Sequence, residues 1–156
     1  MFGKIKFISD NIVIVAINKD ANVSIINTHI TEDNIECLFT YKYDYIIDAC
    51  DTTKVKVKLI RECHDKGIKL VSSMGTANKI DATRVRITTL DKTETDPLAK
   101  KIRHDLGKDR VLMKDVTVVT SDEKPINTKM LGSTSFVPAT AGLFITNYII
   151  NDVIKK

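Results

Sequence analysis

The sequence predicts an α/β domain: a parallel βαβ core, additional strands after it and a hydrophobic C-terminal helix. The βαβ unit is read from two apolar stretches, Tyr45-Ile46-Ile47 and residues 68–73, separated by a helical periodicity over 53–66 that is long enough to cross between parallel strands. The final helix is read from Ala141, Phe144, Ile145, Tyr148, Ile149 and Val153, which make it the most hydrophobic helix of the chain and a core or interface element. With 156 residues, 43% apolar and 28% charged, the chain suffices for one core and falls short of two, so a single domain over 1–156 is expected.

The elements follow in order. Ile12-Val13-Ile14-Val15 reads as a buried strand or a weak helix, which periodicity alone does not separate. Asn18-Lys19-Asp20-Ala21-Asn22 is a turn cluster, and residues 23–30 are β-branched enough for a strand. Thr31 is placed to cap a short helix, with Glu32 and Asp33 at its positive end and Ile35, Leu38 and Phe39 on its buried face. Tyr45-Ile46-Ile47 has the continuous apolar pattern of a parallel strand covered on both faces.

In the helix over 53–66, Val55, Val57, Leu59, Ile60 and Cys63 form the apolar stripe. Lys54, Lys56, Lys58, Arg61 and Glu62 are placed on its wet side, and Gly67 closes it. The strand over 68–73 completes a crossover that is right-handed by the general rule. Val85-Arg86-Ile87-Thr88 alternates as a half-exposed strand. Asp96-Pro97 starts a helix carrying Leu98, Ile102 and Leu106, which Gly107 ends. Val116-Thr117-Val118-Val119 is a further strand, residues 122–135 are a polar loop, and the last helix begins at Pro138.

Composition narrows the function classes. A formal charge of +4, with lysine and arginine interleaved with acids, permits an anionic partner without establishing one. Cys37, Cys50 and Cys63 are an odd number without a C-x-x-C pair, so a disulfide framework and a zinc ribbon are not indicated, and the three are read as core filler. No signal peptide and no run of about 20 apolar residues is visible, so no membrane association and a cytoplasmic location are expected.

Ligands of open α/β sheets bind outside the carboxyl ends of the strands, where Asp48 and Asp51 fall. Asp51 there can hold magnesium or position a nucleotide, or it can simply cap the helix that follows, together with Thr52 or Thr53; Asp48, nearer the strand interior, reads as structural. Gly75-Thr76-Ala77-Asn78-Lys79 follows a strand and can bring backbone close to a phosphate. The six glycines spell neither G-x-G-x-x-G nor G-x-x-x-x-G-K-[ST], so no phosphate cradle is visible. His29, His64 and His104 are scattered and read as surface or boundary residues, and Lys100-Lys101-Ile102-Arg103 is a solvated helix face that can also touch RNA phosphates.

Four ordered segments add a resemblance: Tyr45-Ile46-Ile47-Asp48-Ala49-Cys50-Asp51-Thr52; Val71-Ser72-Ser73-Met74-Gly75-Thr76-Ala77-Asn78-Lys79-Ile80-Asp81-Ala82-Thr83; Asp91-Lys92-Thr93-Glu94-Thr95-Asp96-Pro97-Leu98-Ala99-Lys100; and Ser135-Phe136-Val137-Pro138-Ala139-Thr140-Ala141-Gly142. They resemble the ThiF/MoeB/HesA adenylating superfamily, relatives of ubiquitin-activating enzymes, and within it the tRNA threonylcarbamoyladenosine dehydratases. The resemblance implies a partial Rossmann-like, ThiF-type domain that uses ATP and magnesium to adenylate the threonylcarbamoyl carboxylate of a tRNA adenosine, then cyclises it with loss of AMP.

By that resemblance Asp51 is the catalytic carboxylate beside the ATP phosphates and magnesium. Lys56, Gly75, Thr76 and Lys79 fall at cofactor-binding positions, and Asp96, Lys100 and Arg103 in a branch-specific segment that is RNA-facing or structural. The partners implied are tRNA, a second copy in a homodimer, and a sulfur-transfer or carrier protein.

The family's glycine-rich ATP loop, its ribose-binding acid and its phosphate-gripping arginine and lysine precede the region resembled, so residues 1–16 are an atypical start and a truncated domain is expected. Beside the dehydratase stands a catalytically inactive interaction module of the same family. A sulfur-carrier adenylyltransferase is disfavoured because all three cysteines precede the region after Ile87, where a thioester cysteine is expected.

Overall fold

The computed structural model describes residues 17–155 and divides into two compact units, residues 1–43 and 44–156. The expected element at Ile12-Val13-Ile14-Val15 lies outside the described residues. In the first unit, the segment 23–30 is irregular rather than a strand. Among the described residues no strand pairs with it, and a β-branched composition expresses a preference for packing on a sheet that only a partner realises. The helix expected after Thr31 is a single 3₁₀ turn, Ile35–Phe39, entered from Asn34. Thr31 is not the cap: its own N–H donates to the Asn34 carboxamide oxygen at 2.8 Å, and the Asn34 amide donates to His29 O at 2.9 Å.

The second unit carries the sheet. Strand β1 (Tyr45–Asp48) is followed by helix α1 (Thr53–Asp65) and β2 (Lys69–Ser73), then β3 (Val85–Thr89), helices α2 (Pro97–Leu106) and α3 (Arg110–Asp115), β4 (Thr117–Ser121) and helix α4 (Phe136–Ile154). The strand order is β1-β2-β4-β3. β1, β2 and β4 run parallel, with Ile47 opposite Val71 and Val71 opposite Thr117, while β3 runs antiparallel to β4 with Ile87 opposite Val119. The carboxyl ends of the three parallel strands therefore share one edge of the sheet.

Local signals account for most of these bounds. α1 ends in a Schellman motif: Gly67, at φ +64°, donates to His64 O and Ile68 to Cys63 O, a geometry in which the left-handed residue must lack a Cβ to avoid strain. α2 starts as its sequence promises, with the Asp96 carboxylate accepting the Ala99 N–H and Pro97 in the first turn. α3 was not legible from periodicity because six residues make fewer than two turns; its signal was Asp109, whose side chain accepts the Leu112 N–H.

α4 begins two residues ahead of Pro138, which sits in the first turn where its missing N–H has no helical partner to lose. Its stripe of Val137, Ala141, Ile145 and Ile149 packs on Val71, Val85 and Val119, with Tyr45, Ile87 and Tyr148 at the margin. Each large side chain buried there contributes about 1.5–3 kcal/mol. The far end of α4 is pinned where Asp152 accepts from the Tyr45 hydroxyl and from the Lys69 ammonium. No helix among the described residues is long and apolar enough to cross a membrane.

Three expectations are corrected. β1 does not bury both faces: it is the terminal strand of the sheet among the described residues, and Ile47 is 53% exposed. Only Cys63 of the three cysteines is buried; Cys50 is exposed because it lies in the turn past the end of β1. Lys56 is not on the wet side of α1 but wholly buried, because a carboxylate waits for it beneath the helix.

Candidate functional site at the carboxyl edge of the sheet

The parallel strands end at Asp48, Ser73 and Ser121, and the loops that follow converge on that edge with the amino terminus of α1. Beneath the β1 turn, Asp48 is 3% exposed and Lys56 reaches it from the first turns of α1, Nζ to Oδ2 at 2.8 Å. The same ammonium donates to Ser73 O at 2.8 Å and to Ser72 Oγ at 3.2 Å. Ser72 in turn donates to Asp48 Oδ2 at 2.6 Å, and the Cys50 N–H donates to Oδ1 at 3.1 Å. An ammonium has three donors, and all three of Lys56 are engaged. Desolvation first and the Asp48 carboxylate second push the neighbouring Cys50 thiol up to about 12.

Asp51 stands outside this network. It is exposed, one residue before Thr52, the N-cap of α1, and no side chain caps that helix. Thr52 thus holds the cap position without a side-chain hydrogen bond to the helix, and Asp51 lies one residue outside it. The positive end of this 13-residue helix, with no side-chain cap hydrogen bond at Thr52, lies beside an exposed carboxylate.

The second network lies under the loop after β2. Lys79 is 1% exposed and donates to Asp96 Oδ2 at 2.8 Å, to Gly75 O at 2.8 Å and to Ser121 O at 3.3 Å, again three acceptors for three donors. A Cβ on Gly75 would lie 3.2 Å from Asp96 Oδ2, a tight contact that the carboxylate would have to relieve by shifting a few tenths of an ångström. Glu123 takes the Ile80 N–H and the Asp81 N–H on its carboxylate at about 3 Å. Asn78, at φ +57°, donates its backbone N–H to Gly132 O at 2.7 Å, and its side-chain oxygen accepts the Gly132 N–H at 2.9 Å. Glu123 and Asn78 gave no sequence signal, since their partners are backbone groups more than 40 residues away.

The structure thus separates the residues that the sequence grouped. Asp51 is exposed and Gly75 and Thr76 are half-buried at the carboxyl edge, whereas the ammonium groups of Lys56 and Lys79 point inward to protein acceptors. Asp96, expected with Lys100 and Arg103 on an RNA-facing segment, is 1% exposed, its oxygens divided between Lys79 and the α2 amino terminus. Arg103 is half-buried and folds back on Leu90 O and the Thr93 hydroxyl. Lys100 alone of the three is exposed.

Concave surface lies to one side, in an open cleft of ≈ 470 Å³ near Arg84, Arg86, Thr95 and Glu123. No group of three or more histidine, cysteine or acidic side chains among the described residues is arranged to hold a metal by itself.

Known proteins match this arrangement. The ThiF family model matches residues 2–150. The tRNA threonylcarbamoyladenosine dehydratase of Bacillus subtilis (strain 168) is 39% identical over 158 residues, covering 89% of this chain and 62% of that protein. Its counterpart in Escherichia coli (strain K12) is 34% identical over 131 residues, covering 80% of this chain and 49% of the relative. The crystal structure of the E. coli dehydratase, TcdA, in complex with ATP superposes with a TM-score of 0.85 at 30% identity, over 93% of this chain and 62% of that one. HcgE from Methanothermobacter marburgensis, bound to guanylylpyridinol and ATP, shares the fold at a TM-score of 0.64 and 18% identity. The chain spans at most 62% of the length of these two curated relatives.

Proposed function

This chain belongs to the ThiF family, a Rossmann-like α/β fold, and from that premise we propose that it acts as an ATP-dependent tRNA threonylcarbamoyladenosine dehydratase. In this reading the threonylcarbamoyl carboxylate attacks the α-phosphate of ATP, pyrophosphate leaves, and an internal nucleophile of the same group then displaces AMP to close the ring. The observation that carries it is the exposed Asp51 beside the uncapped amino terminus of α1, at the carboxyl edge of a parallel sheet. Backbone N–H groups at the positive end of a helix donate to phosphate oxygens. A single carboxylate suits magnesium only when phosphates complete its shell, which accords with a metal that arrives with ATP.

Gly75 and Thr76 offer half-buried backbone and a hydroxyl to the nucleotide from the end of β2, and exposed Lys100 offers a cation to tRNA. A second copy covers the outer face of α4, where Phe136, Leu143 and Ile154 are at least 67% exposed on the most hydrophobic helix among the described residues. We place the enzyme in the cytoplasm with its tRNA.

The test is calorimetric titration of the chain and of Asp51→Asn with magnesium ATP, alongside mass spectrometry of the modified nucleoside from tRNA. Saturable binding, weakened about tenfold or more by the substitution, is expected; tenfold corresponds to about 1.4 kcal/mol. Absence of saturation at millimolar ATP would sink the enzymatic reading and leave an interaction module of the family.

A further inference from the structure

We infer that Lys79 is a positioning residue: its buried ammonium locks the loop of residues 75–81 to the amino terminus of α2, fixing the nucleotide-facing edge relative to the helix that carries Lys100. The inference rests on the proposed function for the ligand it serves, while the latch itself stands on geometry alone. The three acceptors of Lys79 come from three separate segments, namely Gly75 O at the start of the loop, Asp96 Oδ2 at the α2 cap and Ser121 O at the end of β4. With all three donors engaged at 1% exposure, the ammonium has none left for a phosphate, so its contribution to a nucleotide site is through the shape of the loop.

The rest of the loop is held from the same inner side. Glu123 takes the N–H groups of Ile80 and Asp81, and Asn78 exchanges hydrogen bonds with Gly132. Gly75 and Thr76 stay partly exposed past the end of β2, beside the end of the parallel β1 that Asp51 follows. A buried ion pair is weak evidence for stability, since desolvation of both charges offsets most of their attraction; here its three directed hydrogen bonds fix where three chain segments meet. Gly75 also sits against the Asp96 carboxylate, so that a Cβ there would press on the same ion pair.

The informative variant is the double substitution Lys79→Met/Asp96→Asn. It leaves no unpaired buried charge, and asparagine keeps the α2 cap, so folding is retained where Lys79→Met alone can fail. Hydrogen exchange would be followed by mass spectrometry and magnesium ATP binding by calorimetry. The amides of Asn78, Ile80, Asp81 and Gly132 are expected to exchange about tenfold or more faster, with α1 and α4 unchanged, and ATP affinity to fall about tenfold with Asp51 intact. Unchanged loop protection overturns the latch, and a loosened loop with unchanged ATP affinity overturns the positioning role. If the unsubstituted chain fails to bind ATP, the proposed function falls, and the exchange data alone decide the latch.

Discussion

Replacing Lys56 with methionine separates two readings of the same helix. A lysine on the wet face of α1 would change stability by no more than about 0.5 kcal/mol on substitution. In the fold, Lys56 is 0% exposed and its loss strands the Asp48 carboxylate, whose side chain is 1% exposed, together with the Ser73 carbonyl. Breaking a buried pair from one side costs about 3–5 kcal/mol. The donors that survive, Ser72 at 2.6 Å and the Cys50 N–H at 3.1 Å, place the loss at about 3 kcal/mol, near the low end.

For a chain of this size that lowers Tm by about 6–12 °C. Adding Asp48→Asn removes the stranded charge, its amide oxygen keeping the Cys50 N–H and its NH2 group turning to donate to the Ser72 hydroxyl, so the double variant should recover most of the loss, a coupling of about 2 kcal/mol. Urea unfolding at neutral pH, followed by circular dichroism with m fitted freely, measures both. A loss under about 0.5 kcal/mol for Lys56→Met, or a double variant equal to the sum of the singles, would refute the assignment.

Hydrogen bonds from Lys58 and Lys66, at 2.7 and 2.5 Å, hold Glu62 well below the usual carboxylate range, to about 2. A depressed acid stabilises the fold above its unfolded pKa of about 4.3 and loses that contribution as pH falls toward 2, so Glu62→Gln should flatten the acid limb of a stability profile between those values and leave its slope above pH 5 unchanged. At Cys50 the thiol pushed up to about 12 leaves little thiolate at pH 8, so alkylation there should run at least about tenfold slower than that of a free cysteine despite the exposure of the residue, the greater nucleophilicity of the remaining thiolate offsetting part of the loss. Peptide mapping after timed iodoacetamide treatment of the folded chain reads this directly, and rapid labelling of Cys50 would contradict it.

What the sequence determined by itself were the features set within one or two turns of chain. Gly67 and Gly107 end helices and Asp96-Pro97 starts one, because caps depend on neighbours within a turn, whereas the sequence marked α4 as hydrophobic without separating buried Ala141, Ile145 and Ile149 from the exposed Val153. The ThiF resemblance was legible in ordered motifs for the same reason, as each is a contiguous string. Tertiary structure alone decided the fate of the charged side chains. Lys56 looked like any solvated lysine until β1 and β2 brought Asp48 and Ser72 beneath it, and Lys79 and Asp96, 17 residues apart, became a buried pair only when the loop after β2 crossed the amino terminus of α2. Residues 23–30 failed as a strand on the same principle: a strand exists only by its partner, and a buried charge only by its counter-ion, and neither is written at the position that needs it.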